Sequence, residues 1–171
     1  MGRIENWSKE FQNSKEEDFR TPPFILRFIE SRYGLIEHDV ACFADGSNAV
    51  ANPVRLESCW PVGHVYANPP FDSSSIEKWW IACMAHATSG KGKATMLLPN
   101  KLCQVFLNKW VPTCSEVILL GGRLNFHGPF SAKGGASRQG SVIIHFEVGG
   151  NPTREPKLSV RRIKTLKEEF Q

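Results

Sequence analysis

Between residues 20 and 150 the chain alternates short aliphatic runs with longer stretches whose apolar residues recur every three or four positions. The first periodic stretch, RTPPFILRFIESRYG, sets Phe24 with Phe28, and Ile25 with Ile29, on one face. It predicts a helix that Thr21 caps, Pro22 opens and Gly34 closes. A strand is expected over 35–41 in LIEHDVACF, followed by a polar turn, ADGSNA. Residues 50–60 are irregular, with room for a short strand near Val54–Leu56, and HVYA (64–67) reads as the next strand. In DSSSIEKWWIACMAHA, residues Ile76, Trp80, Cys83, Met84 and Ala87 share a helical face. Ser74 with Glu77 three residues on has the form of a capping box. KATMLLP (strand over 93–98), SEVILL and SVIIHFEV complete the apolar strands, and NKLCQVFLNKWV suggests a further helix. Strands alternating with helices predict an α/β domain.

Bulk composition agrees. A chain of 171 residues, 41% hydrophobic and 22% charged, is ordinary for one globular domain. The expected division is a polar lead-in over 1–18, the α/β domain over 19–150 and a charged tail over 151–171. The second half of that tail is either a surface helix or disordered. No apolar run approaches the roughly 18 residues of a membrane span, and the lead-in lacks a signal peptide's apolar centre. The expectation is an intracellular protein with no membrane partner. Five cysteines, an odd number with no C-x-x-C pair, argue against a disulfide scaffold, and the five histidines show no metal-ligand spacing. Net charge is +4, which permits a polyanionic partner.

The strand HVYA ends in Asn68-Pro69-Pro70-Phe71. Neither proline donates to a sheet ladder, so the strand stops there in a stiff corner. In α/β sheets ligands sit off the carboxyl ends of the strands, which is where this corner falls. The Asn68 side-chain oxygen and the Pro69 carbonyl are two acceptors that can converge on one amino group, and Phe71 offers a ring for stacking. Accepting both amino hydrogens draws the nitrogen lone pair out of ring conjugation. Attack on an electrophilic methyl then needs no prior general base and rests on positioning and fixed dipoles. A plain structural turn is the competing reading. Asp39, at the end of the preceding strand, can accept hydrogen bonds from an ammonium or a ribose. Asp45, Gly46 and Asn48 form the turn after it.

The NPPF segment resembles motif IV of the amino-methyltransferases, [DNS]-P-P-[YFW]. FRTPPFIL (19–26), HDVACFADGSNA (38–49), WPVGHVYANPPF, the LLP of 97–99, GRLNF (122–126) and GSVIIHF together resemble the small phage-type, Dam-like DNA N6-adenine methyltransferases over residues 19–148. The resemblance implies an abbreviated Rossmann-like, S-adenosylmethionine-dependent methyltransferase sheet flanked by helices. It implies that Asn68, Pro69, Pro70 and Phe71 hold the target adenine. Thr21, Pro22 and Asp39, with Asp45 or Asn48, would line the S-adenosylmethionine pocket. Ser141 and Arg123 match family positions. The glycine-rich G-x-G of methyltransferases at large is missing, with ACFADG in its place. Only 28 residues separate Asp39 from Asn68. At about 25–30 residues per unit, that interval holds at most one short strand of the two strand–helix units a full sheet carries there. Glu57 is the nearest substitute for an acid that grips the donor ribose.

N6 of adenine is paired inside a duplex, so the base must be flipped or presented on a single strand. Backbone contacts then come mainly from Lys and Arg. The loop over 121–140 carries six glycines with Arg123, His127, Lys133 and Arg138. Arg123, Lys133 and Arg138 are the nucleic-acid candidates, and Arg161, Arg162, Lys164 and Lys167 of the tail are further cations. No stretch is long enough for a separate recognition domain, so little sequence specificity is expected unless a partner or a homodimer supplies it. Two alternatives stay open: an RNA adenine or other amino-group methyltransferase, and a non-catalytic nucleic-acid-binding module of the same fold.

Overall fold

The computed structural model describes residues 21–42, 49–54, 59–69, 73–100, 106–126, 140–147 and 155–171. The elements in chain order are α1 (Pro23–Tyr33), β1 (His38–Asp39), β2 (Asn52–Pro53), β3 (Val65–Ala67), α2 (Ser73–Thr88), β4 (Ala94–Pro99), β5 (Glu116–Gly121), β6 (Ser141–Phe146), β7 (Lys157–Arg162) and α3 (Ile163–Phe170). Of the segment expected to be a helix before β5, the described part is a π-helical turn, Phe106–Trp110, run into a 3-10 turn, Val111–Thr113, and residues 101–105 lie outside the described residues. Pro112 denies the ladder a donor and keeps the segment from extending as a regular helix.

Among the described residues seven strands form one sheet in the order β2-β1-β3-β4-β6-β5-β7. The first four are parallel, and β6 runs antiparallel to both β4 and β5. β7 adds in parallel to β5 at the far edge. Its residues belong to the segment whose charge suggested a tail, and the chain from it continues into α3. The α/β expectation holds; between β1 and β3 the described residues contain one short strand, β2, at Asn52–Pro53, and residues 55–56 of the strand expected near Val54–Leu56 lie outside the described residues. β1 covers His38–Asp39, much shorter than 35–41.

Strand alternation divides the core. Val65, Ala67, Met96, Leu98, Val117, Val142 and Ile144 face α2, against Trp79, Trp80, Cys83 and Ala87. Tyr66, Leu97, Ile118, Leu120 and Ile143 face α1 and α3, against Phe24, Ile25, Phe28, Ile29 and Leu166. Strands buried on both faces explain why they read as unbroken apolar runs. Trp80 is the hub of the α2 side, edge-on to Phe106 and Phe146, with its indole N–H donating to Thr113 Oγ1 at 2.8 Å.

Two capping expectations are corrected. Pro22 occupies the N-cap of α1 and Pro23 its first turn, with no side-chain cap, because the Thr21 hydroxyl is engaged elsewhere. Gly34 does close the helix, at φ 96°. Ser74 lies inside α2, which starts at Ser73, so it is not the residue ahead of the helix that a capping box needs; Glu77 instead pairs with Lys109 at 3.2 Å.

Candidate active site

β1 leads out to β2 on one side, and the chain then crosses back to β3 on the other. Connections leaving in opposite directions open the carboxyl edge between β1 and β3, the place where α/β sheets bind ligands. Asp39 closes β1 there, and Asn68 follows β3 on the neighbouring strand, in the register Asp39↔Tyr66.

Asp39 is buried, and its carboxylate is committed to the backbone. Oδ1 accepts the Ala41 N–H and Oδ2 the Val50 N–H, each at 3.0 Å. These two bonds tie Ala41 and Val50 to the end of β1. Burial pushes the carboxyl above its usual range, and the two backbone donors oppose that shift. Among the described residues no cation neutralises it, while each oxygen keeps a further acceptor position. A cationic or hydroxyl-bearing ligand suits such a site.

His64, Tyr66 and Asn68 stand two apart along β3 and its flanks, so they fall on one face, the α1 side. Tyr66 is buried, and its hydroxyl lies 2.6 Å from Thr21 Oγ1. Asn68 Nδ2 donates to the same Thr21 oxygen at 3.3 Å. Burial drives the Tyr66 phenol well above its ordinary range, so it stays protonated. The structure thus brings together Thr21, Tyr66 and Asn68, with Asp39 one strand away. Pro22 and Pro69 are buried beside them. Pro70, Phe71, Asp45, Asn48, Glu57, Lys133 and Arg138 lie outside the described residues.

Tyr66 was missed in the sequence. The signal was present: His64, Tyr66 and Asn68 are hydrogen-bonding residues at period two within a short strand, and that pattern points all three to one face. On the next strand, Asn100 follows β4, and its backbone N–H donates to the Gly140 carbonyl at 2.7 Å. Buried Ser141 begins β6 beside Pro99. Arg123 is exposed just past β5, and Arg162 closes β7 opposite Gly121, so both cations reach the same carboxyl edge as Asn68. The remaining tail cations are partly engaged. Arg161 pairs with Glu169 at 2.6 Å and lies over the Phe28 ring, and Lys167 lies over Phe24.

At the opposite, amino edge a buried polar chain underlies the same strands. His64 Nδ1 meets the Gly34 carbonyl at 3.0 Å, His64 Nε2 meets Thr95 Oγ1 at 2.8 Å, and Thr95 Oγ1 meets His145 Nδ1 at 2.9 Å. His145 stacks on Tyr33 at 3.6 Å, whose hydroxyl donates to Glu116, itself gripped by Arg32. Among the described residues no group of His, Cys, Asp and Glu converges to hold a metal ion. Of the cysteines, Cys83 and Cys114 are buried, and burial pushes the Cys114 thiol up to about 12; Cys59 is exposed.

The family model for DNA N-6-adenine-methyltransferase (Dam) matches residues 8–169, nearly the whole chain. The chain belongs to the Dam family. Its match takes in β7 and α3 as well as the strands around Asn68. Among solved structures, the Dam-family chain is similar in fold to PH1948 from Pyrococcus horikoshii, described as "a putative RNA methyltransferase". The TM-score is 0.54 at 14% identity, covering 86% of this chain and 99% of that one. No curated protein matches the chain. The protein is a methyltransferase with a Rossmann-like α/β sheet. No helix among the described residues is long and apolar enough to cross a membrane.

Proposed function

We propose that the protein transfers a methyl group from S-adenosylmethionine to N6 of adenine in DNA, on a flipped or single-stranded base. The observation that carries this reading is the place of Asn68. In a Dam-family chain, its carboxamide stands at the carboxyl end of β3, across the switch point from the buried Asp39. Bound S-adenosylmethionine supplies an electrophilic methyl on a sulfonium. Asp39 fits that donor, since a buried acid without a cationic partner among the described residues favours a ligand bearing positive charge or hydroxyls. Asn68 Oδ1 and the Pro69 carbonyl accept the two hydrogens of the adenine amino group, and Phe71 stacks on the ring. Holding both hydrogens localises the lone pair on N6; as the N–C bond forms the C–S bond breaks to leave the neutral thioether S-adenosylhomocysteine, and the surplus proton passes to water after the nitrogen has become cationic. The chain contributes orientation and fixed dipoles rather than a base.

Incubation with S-adenosylmethionine and unmodified oligonucleotides, then nuclease digestion and mass analysis, tests the reading. N6-methyldeoxyadenosine is expected, with single strands the better substrate and similar yields in scrambled sequence contexts. Methyl groups on cytosine alone, or none in any DNA, would refute it. Matched RNA oligonucleotides in the same assay decide the polymer, a comparison the fold neighbour's description makes worthwhile.

DNA contact is assigned to the exposed cations of the carboxyl edge. Arg162 ends β7 and Arg123 lies two residues past the end of the adjacent β5, both on the edge that carries Asn68. Replacing either with Ala is expected to weaken single-strand binding about equally for all sequences. Each should lower the slope of log affinity against log salt by about 0.7. Fluorescence anisotropy titrations at several salt concentrations measure both, and an unchanged slope removes that residue from the interface.

A further inference from the structure

We infer that Thr21 and Tyr66 are positioning residues that decide which end of the Asn68 carboxamide is presented to the substrate; this rests on the reading of Asn68 given above. An Asn amide has an accepting and a donating end, and only the accepting end can take an amino hydrogen. The shape of the side chain does not distinguish the two, so neighbours must. Tyr66 is 1% exposed, and Thr21 Oγ1 is its hydroxyl's partner at 2.6 Å. A buried phenol that accepted from Thr21 would leave its own hydrogen undonated. Tyr66 therefore donates, filling one lone pair of Thr21 Oγ1. The second lone pair takes the Asn68 Nδ2–H at 3.3 Å. With Nδ2 held, Oδ1 is fixed as the opposite end of the amide. A tyrosine in the apolar layer between β3 and α1 has a use that phenylalanine would not supply, since its ring packs but its hydroxyl sets the amide.

Kinetics and an activity-independent measurement test this together. Tyr66→Phe keeps the packed ring and removes the hydroxyl that meets Thr21. It should lower kcat about tenfold, with the donor KM within about twofold and the melting temperature little changed. Thr21→Val should do the same or more, and Thr21→Ser should restore kcat. A purely structural role predicts the reverse pattern: a lower melting temperature with kcat intact. The side-chain amide protons of Asn68, identified in 15N-labelled protein by their loss in Asn68→Ala, report the latch whether or not DNA is methylated. One proton of the pair should lie downfield and exchange slowly. It should move toward the free-amide position in Thr21→Val and stay in Thr21→Ser. Wild-type protein that leaves DNA unmethylated, yet shows this amide signature, would refute the methyl-transfer reading and spare the latch. An Asn68 amide indifferent to Thr21→Val, or a Thr21→Val variant with raised donor KM and unchanged kcat, would overturn the latch itself.

Discussion

Asn68→Ala is expected to cut kcat by about 100- to 1000-fold, the range seen when one preorganised hydrogen-bonding group is removed from a reacting centre. The amino group of free adenine is a poor nucleophile because its lone pair is shared with the ring. Nothing in an alanine side chain can hold the amino hydrogens, so the Pro69 carbonyl alone remains to localise that pair. The fold should tolerate the change. Asn68 follows β3 rather than lying within its ladder, and its bond to Thr21, at 3.3 Å, is a side-chain contact. Affinity for S-adenosylmethionine, measured by calorimetry, should stay within a fewfold of wild type, because Asp39 and its backbone bonds are one strand away. Asn68→Asp separates the roles. A carboxylate still accepts, and the Thr21 hydroxyl can turn to donate to it, so turnover should fall between wild type and alanine. Full activity in Asn68→Ala, with stability unchanged, would leave the elbow without a chemical role.

The apolar strands were legible because each is buried on both faces, and sequences such as ATMLLP and SVIIHF have no alternative use. The stiff corner after Ala67 was legible for a different reason: two prolines forbid every regular continuation. What escaped was whatever depends on tertiary partners. β7 carries Lys157, Arg161 and Arg162, and its charge reads as solvated. Only the backbone of β5 beside it, pairing Glu116 through Gly121 with Lys157 through Arg162, makes it a strand. Thr21 before two prolines has the pattern of a cap, yet the hydroxyl turns to Tyr66, 45 residues away, because the fold sets β3 against the start of α1. Asp39 was placed at the right strand end. Its bond to the backbone of Val50 reaches 11 residues on, and no local pattern announces such a bond. The site therefore divides along a physical line. Covalent stiffness is visible in one dimension, whereas hydrogen bonds between distant segments are not.

Acid should weaken this fold through two buried histidines, while the raised carboxyl of Asp39 acts in the opposite sense. His64 and His145 are both buried, and burial is the main reason their pKa values fall; that of His145 drops from the ordinary 6.5 to about 3, with His64, Lys93 and Arg32 nearby adding to the effect. The hydrogen-bond chain fits neutral rings. His64 donates from Nδ1 to Gly34, Thr95 donates to His64 Nε2, and His145 Nδ1 donates to Thr95, leaving His145 Nε2 unprotonated and buried without a partner. Both groups have folded-state values below their unfolded ones, so between pH 6.5 and 3 the unfolded chain binds more protons and stability rises with pH. Moving from pH 7 to pH 5 should cost about 2 kcal/mol through His145 alone, with His64 acting in the same direction. In a chain of this size that corresponds to a drop of about 4–8 °C in melting temperature. Glu116 does not contaminate the window. Burial raises its pKa, but the hydrogen bonds from Arg32 and Tyr33 together outweigh that and hold it below the usual carboxylate range, so its loss comes at lower pH. His145→Phe keeps a ring against Tyr33 and removes the titration. It should start from a lower melting temperature at pH 7 but fall less steeply toward pH 5. An unchanged slope would mean that His145 is not the group acid attacks. The consequence reaches the carboxyl edge through β3, since His64 anchors the strand whose next same-face residues are Tyr66 and Asn68.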